Sequence, residues 1–152
     1  MKKLFALVVL LAAAGSAAYL ASQGKLPGYE NDKSVLTKKS TRFMECLKFK
    51  EFAEAAAFHA PEELKAHPDI PKQLENFFKL PHETLDIQTT AVDFVELDST
   101  GKRAKVKTTS VIRILNRNGE IQRPEAMLYW KKAADNQWFL DLRTTLERGG
   151  GI

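Results

Sequence analysis

The chain has a single cysteine, Cys46, among 152 residues, so no intramolecular disulfide framework can hold it together. It also lacks a glycine-rich loop suited to cradling a phosphate, since its one run of glycines, Gly149 to Gly151, stands at the C-terminal end. The three histidines, His59, His67 and His82, each lie within two residues of a proline, and no two have the spacing of a helical or strand ligand pair. That pattern argues against a metal centre and for solvated loop positions. Charge of one sign is scarce too. The 23 bases and 19 acids give a formal charge of +4, which falls to +2 once Lys2 and Lys3 are set aside. So small an excess does not mark a nucleic-acid binder. Cys46 itself, inside a helical pattern, reads as a small buried hydrophobe rather than a bridge to another chain.

What is present begins with the one long apolar run. Lys2 and Lys3 precede an uncharged stretch from Leu4 to Ala21, a basic n-region followed by a hydrophobic h-region, the pattern that sends a bacterial-type chain to the inner membrane for export. As a helix it would be on the order of 27 Å long, just short of a hydrocarbon core of about 30 Å. The small residues Ala12 to Ala18 resemble a signal peptidase site with cleavage after Ala14 or Ala17. Tyr19, Leu20 and Ala21 prolong the run, as a retained anchor with cytoplasmic lysines would. Both fates, a cleaved signal and an inner-membrane anchor through residues 4–21, place the remainder in the periplasm. Lipidation is excluded at this site, because Ser16 stands where an acylated cysteine is required.

Residues 22–33 turn polar, with Gly24, Pro27 and Gly28 among charges, and read as a linker. Leu36, Phe43, Met44 and Leu47 then recur at helical spacing, while Phe49, Phe52, Ala53 and Ala56 form a second stripe turned away from the first. One straight helix cannot bury both. The pattern predicts helices over Ser34 to Lys48 and Lys50 to His59 with a corner near Phe49, a short turn from Pro61 to Ala66, and a helix from Pro71 to Lys79. Beyond His82 the period becomes two. Four strands are legible, Thr84 to Leu97, Arg103 to Leu115, Pro124 to Lys132 and Gln137 to Arg143, joined by turn residues such as Asn118-Gly119 and Asp135-Asn136. Short hairpins make the sheet an antiparallel meander. Residues 34–143 thus form one α+β domain, helices on a four-stranded sheet, and residues 144–152 a flexible tail.

A helix bearing Phe43-Met44-x-x-Leu47, a corner at Lys48-Phe49-Lys50, a helix bearing Phe52-Ala53-x-x-Ala56, and a meander closing on Tyr129-Trp130-Lys131-Lys132 and Asp135-Asn136-x-Trp138-Phe139-Leu140 together resemble the nuclear transport factor 2-like superfamily, in particular its small exported bacterial envelope members. The resemblance covers residues 34–143. It implies a cone in which helices pack into a curved antiparallel sheet and leave a pocket at the open end. The chain departs from larger members in having no short strand between the second and third helices.

Enzymes of that superfamily set an acid-base Asp or His beside hydrogen-bond donors inside the cone. Asp86, Asp93 and the histidines, with Tyr129 as a donor, are the only counterparts here, and none matches a catalytic motif residue by residue. Asp93, between Val92 and Phe94 in mid-strand, is expected to face solvent. No catalytic residue, metal ligand or cofactor is therefore expected. Arg103, Lys105, Lys107 and Arg113 form a basic row along one strand face, a candidate surface for an acidic partner or anionic headgroups. Phe52, Phe77, Phe78, Trp130 and Trp138 are candidates to line an apolar pocket, and core packing is their default role. The expectation is a non-enzymatic exported module that binds a protein partner at the membrane surface. Its alternative is a carrier or enzyme using the cone for a small apolar ligand or lipid.

Overall fold

The computed structural model describes residues 31–78 and 85–148. The expected export segment, linker residues 22–30, His82, Thr84, the side chains of Phe77 and Phe78, and residues 149–152 lie outside the described residues. The chain divides after Val35 into two units. In the first, Asn31 caps a helix start: its Oδ1 accepts the Ser34 N–H at 2.8 Å, and its carbonyl accepts the Val35 N–H at 3.1 Å. Helix α1 accordingly runs Asp32–Phe49 and begins two residues before the predicted start, inside the expected linker.

Within the second unit, α1 buries Leu36, Ser40, Phe43, Met44 and Leu47, a stripe at helical spacing. It ends where the sequence predicts a corner. Lys50 takes φ 64°, its N–H donates to Leu47 O at 3.2 Å, and the Glu51 N–H donates to Cys46 O at 2.8 Å. These paired bonds close the last turn around a left-handed residue. Helix α2 is confined to Phe52–Ala56, shorter than predicted at both ends, because Lys50 reverses the chain and residues 57–59 form a turn. Helices α3 (Pro61–Ala66) and α4 (Ile70–Phe78) follow, close to their predicted positions.

The sheet contains β1 (Leu85–Leu97), β2 (Arg103–Ile114), β3 (Glu120–Gln122), β4 (Glu125–Lys132) and β5 (Trp138–Leu140). Its order is β1-β2-β4-β5, all antiparallel, with β3 on the far end of β2. The predicted meander is present and carries a fifth strand. β3 has all three residues exposed, so it lacks the alternation that betrays a strand. Pro124, which has no N–H to give a ladder, separates it from β4.

Alternation sorts the faces of β2. Ala104, Val106, Thr108, Ser110 and Ile112 are buried, and the odd-numbered residues are not. Leu128, Trp130, Trp138 and Leu140 join the buried set from β4 and β5. Phe58 links helix to sheet, its ring edge-on to Phe43 at 5.9 Å and to Trp130 at 6.2 Å. Such edge-to-face pairs add about 0.5–1.5 kcal/mol each beyond area burial. Two lysines of α1 tie it to the strands: Lys39 Nζ donates to Trp138 O and Lys48 Nζ to Gln88 O, both at 2.7 Å. Gln88 sits at a register shift of β1, where the ladder leaves a carbonyl to be satisfied. On β5, the Leu140 N–H donates to Phe58 O at 2.8 Å.

The last strand stops at Leu140 rather than Arg143, and helix α5 (Leu142–Arg148) replaces the start of the expected tail. Asp141 causes the change. Its Oδ1 accepts the Thr144 N–H at 3.0 Å and its carbonyl the Thr145 N–H at 2.9 Å, while its own N–H donates to Tyr129 O at 2.8 Å. Thr145 Oγ1 then accepts the Tyr129 N–H at 3.0 Å. Helix α5 therefore covers the β4 edge where β5 has ended.

Candidate binding cleft

The floor of a cleft of about 290 Å³ is a cross-strand row, Glu96 opposite Lys105 and Lys105 opposite Tyr129. One end is set by the β1-β2 hairpin. There the Asp98 carboxylate accepts from Thr100 Oγ1 (2.9 Å), the Lys102 N–H (3.0 Å) and the Arg103 N–H (3.2 Å). These bonds, that of Thr100 foremost, hold the Asp98 carboxyl below its ordinary pKa. The other wall is α5, through Thr144 and Arg148.

Acids and bases line this cleft in equal number, but they are not equally engaged. Glu96 is paired with Lys105 Nζ at 3.0 Å, Asp98 is held by its hairpin, and Asp141 is the α5 cap. Among the described residues, the guanidinium groups of Arg103 and Arg148 have no carboxylate partner, and the hydroxyls of Tyr129 and Thr144 donate to no protein group. The uncommitted groups of the cleft thus include two cations and two donors.

The predicted basic row is divided by this geometry. Lys105 and Lys107 are neutralised by Glu96 and Glu125, the latter pair at 2.7 Å. Lys131, which sequence reasoning did not place in the row, is paired with Glu63. Arg103 enters the cleft, and Arg113 is exposed outside it. Arg148 lay in the expected tail, so its place here was hidden until Asp141 was recognised as a cap.

Three of the candidate pocket residues, Phe52, Trp130 and Trp138, have described side chains. Trp138 is 1% exposed in the core, Phe52 is half-buried, and Trp130 is core as well as part of the cleft lining. Asp93 is exposed at a register shift of β1, where its carboxylate accepts from Thr109 Oγ1 at 2.6 Å. Asp86 is exposed as well.

A second cleft, of about 560 Å³, lies among α3, α4 and α5, and His59 and His67 both line it. His67 is exposed, as predicted, but His59 is 1% exposed, against the expectation of a solvated loop residue. The turn after α2 directs its ring inward, where Nδ1–H donates to Ala56 O at 2.8 Å and Nε2 has no protein partner. Burial, the largest influence, pushes its pKa below the ordinary histidine value. Elsewhere Cys46, Glu51 and Glu54 place ligand atoms within 4.8 Å of one another. Their cation is already supplied, since Arg42 Nη2 bonds Glu54 at 2.6 Å and Glu51 at 3.3 Å. Burial also raises the Cys46 pKa, which disfavours the thiolate a metal would need.

No family model matches this chain, and no curated protein sequence does. Among solved structures, the intermembrane space region of the chloroplast protein ARC6 aligns with 68% of this chain and 91% of that one, at 13% identity and a TM-score of 0.30. A likeness of that degree assigns neither fold nor function.

Proposed function

We propose that this chain is a non-enzymatic module of the bacterial envelope that binds a protein partner at the periplasmic face of the inner membrane. The basic, apolar start of the sequence supports the location, whether the segment is cleaved or kept as an anchor. The order of helices followed by an antiparallel meander supports the likeness to the nuclear transport factor 2-like superfamily. The observation that carries the binding role is the cleft beside α5, whose free groups are donors and cations open to the surface. The inner side of the sheet is filled by Phe43, Leu128, Trp130 and Trp138, an arrangement that favours a surface interaction over an enclosed apolar ligand.

Capture from solubilised membranes tests this reading, with the full chain as bait and quantitative mass spectrometry as readout. One stoichiometric protein should be retained by the wild type and lost from an Arg103→Glu/Arg148→Glu double variant that melts normally. Retention of lipid and no protein would contradict the reading and favour the carrier alternative.

A further inference from the structure

We propose that the cleft between α5 and the β1-β2 hairpin takes a carboxylate from an acidic segment of the partner, gripped by Arg103 and Arg148. This inference deepens the protein-binding reading and rests on it. The two arginines line one concavity, and their guanidinium groups have no carboxylate of this chain to satisfy them, among the described residues. A guanidinium presents a planar fork of N–H donors that matches a carboxylate in two parallel bonds, and such charge-assisted bonds are stronger than neutral ones. Tyr129 and Thr144 add hydroxyl donors on the same lining, so the complement of the site is an acceptor-rich anion.

Asp98 and Asp141 keep their charge, so the site selects its ligand by the unsatisfied N–H forks of the two arginines rather than by a net positive field. Glu96 and Asp141 each have one oxygen directed to a partner within this chain, the Lys105 ammonium and the Thr144 amide, and Asp98 has both directed to the hairpin amides and Thr100. An anionic membrane surface is a poorer fit than a peptide. Adsorption to headgroups draws on several free lysines or arginines spread over one face, whereas Lys105, Lys107 and Lys131 are each neutralised by a glutamate. What is left is one local anion site with walls, suited to an acidic side chain on a docked segment.

The full chain in neutral phosphatidylcholine nanodiscs, titrated with fluorescein-labelled hexaglutamate and, separately, hexaglutamine, tests the proposal by fluorescence anisotropy. Hexaglutamate should bind and hexaglutamine should not. Arg103→Gln and Arg148→Gln should each weaken hexaglutamate binding about tenfold, with Arg103→Lys intermediate. Arg113→Gln, an exposed arginine outside the cleft, should bind as the wild type does. Equal loss in Arg113→Gln would show unspecific attraction and overturn the site, as would absence of hexaglutamate binding. Displacement of the peptide when the nanodiscs contain phosphatidylglycerol would assign the cleft to lipid and overturn the peptide reading. If the membrane-captured protein is retained by both Arg→Gln variants, the carboxylate site falls while the protein-binding role stands.

Discussion

Lys50 shows how much a single residue decides in this fold. It holds φ 64° at the end of α1, a left-handed conformation that costs an L-residue roughly 1–2 kcal/mol. Glycine would escape that cost and give back roughly 0.5–1 kcal/mol in unfolded-state entropy. Lys50→Gly should therefore stabilise the protein by about 0.5–1 kcal/mol in urea denaturation, and destabilisation would show that the lysine side chain matters to the corner. His59 is the second decisive residue. Burial holds its folded pKa below the ordinary value, against the opposing effect of its bond to Ala56 O and the nearby carboxylates of Glu63 and Asp141. The unfolded chain therefore takes up the proton first. Stability should be full above pH ~6.5 and fall as pH drops below it, a slope that His59→Gln should flatten in denaturation curves between pH 7.5 and 5. Neither role was legible from local sequence. A lysine carries no left-handed signature, and a histidine two residues before a proline looks like any other loop histidine until Phe58 is seen to pin its turn between Phe43 and Trp130.

At the scale of elements, periodicity served well wherever one face of a segment is buried. The stripe of α1, the corner after it and the alternation of β2 all stand as the pattern predicts. It failed where a segment is short or exposed on every residue, as β3 is, and where a cap redirects the chain, as Asp141 does. The Asp141-x-x-Thr144 spacing was the available signal for α5, masked by the reading of a strand through Arg143. Helix α5 also gives the sheet an edge bond that no strand supplies. Thr145→Val keeps the shape of the side chain but leaves the Tyr129 N–H without its acceptor. A loss of about 1–3 kcal/mol is expected, read by urea denaturation, with faster hydrogen exchange at the Tyr129 amide. An unchanged exchange rate would mean that α5 does not guard that edge. Because α5 forms one wall of the cleft, this variant should weaken hexaglutamate binding too.

For the whole molecule, the α+β order of helices followed by an antiparallel sheet was readable, because core patterning is written in period, while the expected export segment lies outside the described residues. The candidate site was readable only in part. Arg103 was in the predicted row, but ion pairs between strands silence Lys105 and Lys107, and such pairing depends on cross-strand register that sequence alone does not supply. Among the described residues no helix is long and apolar enough to cross a membrane, so the topology rests on residues 4–21 and is open to direct test. A C-terminal alkaline phosphatase fusion should be active and a cytoplasmic reporter at the same position silent. The reverse result would place the domain in the cytoplasm. The central claim, that the cleft beside α5 meets a protein, is tested most directly by a photo-activated crosslinker installed in living cells at Arg103, with Glu62 on exposed α3 as control. The account predicts one discrete adduct of fixed mass from position 103 and none from position 62. Adducts to lipid alone, or the same protein adduct from both positions, would contradict it.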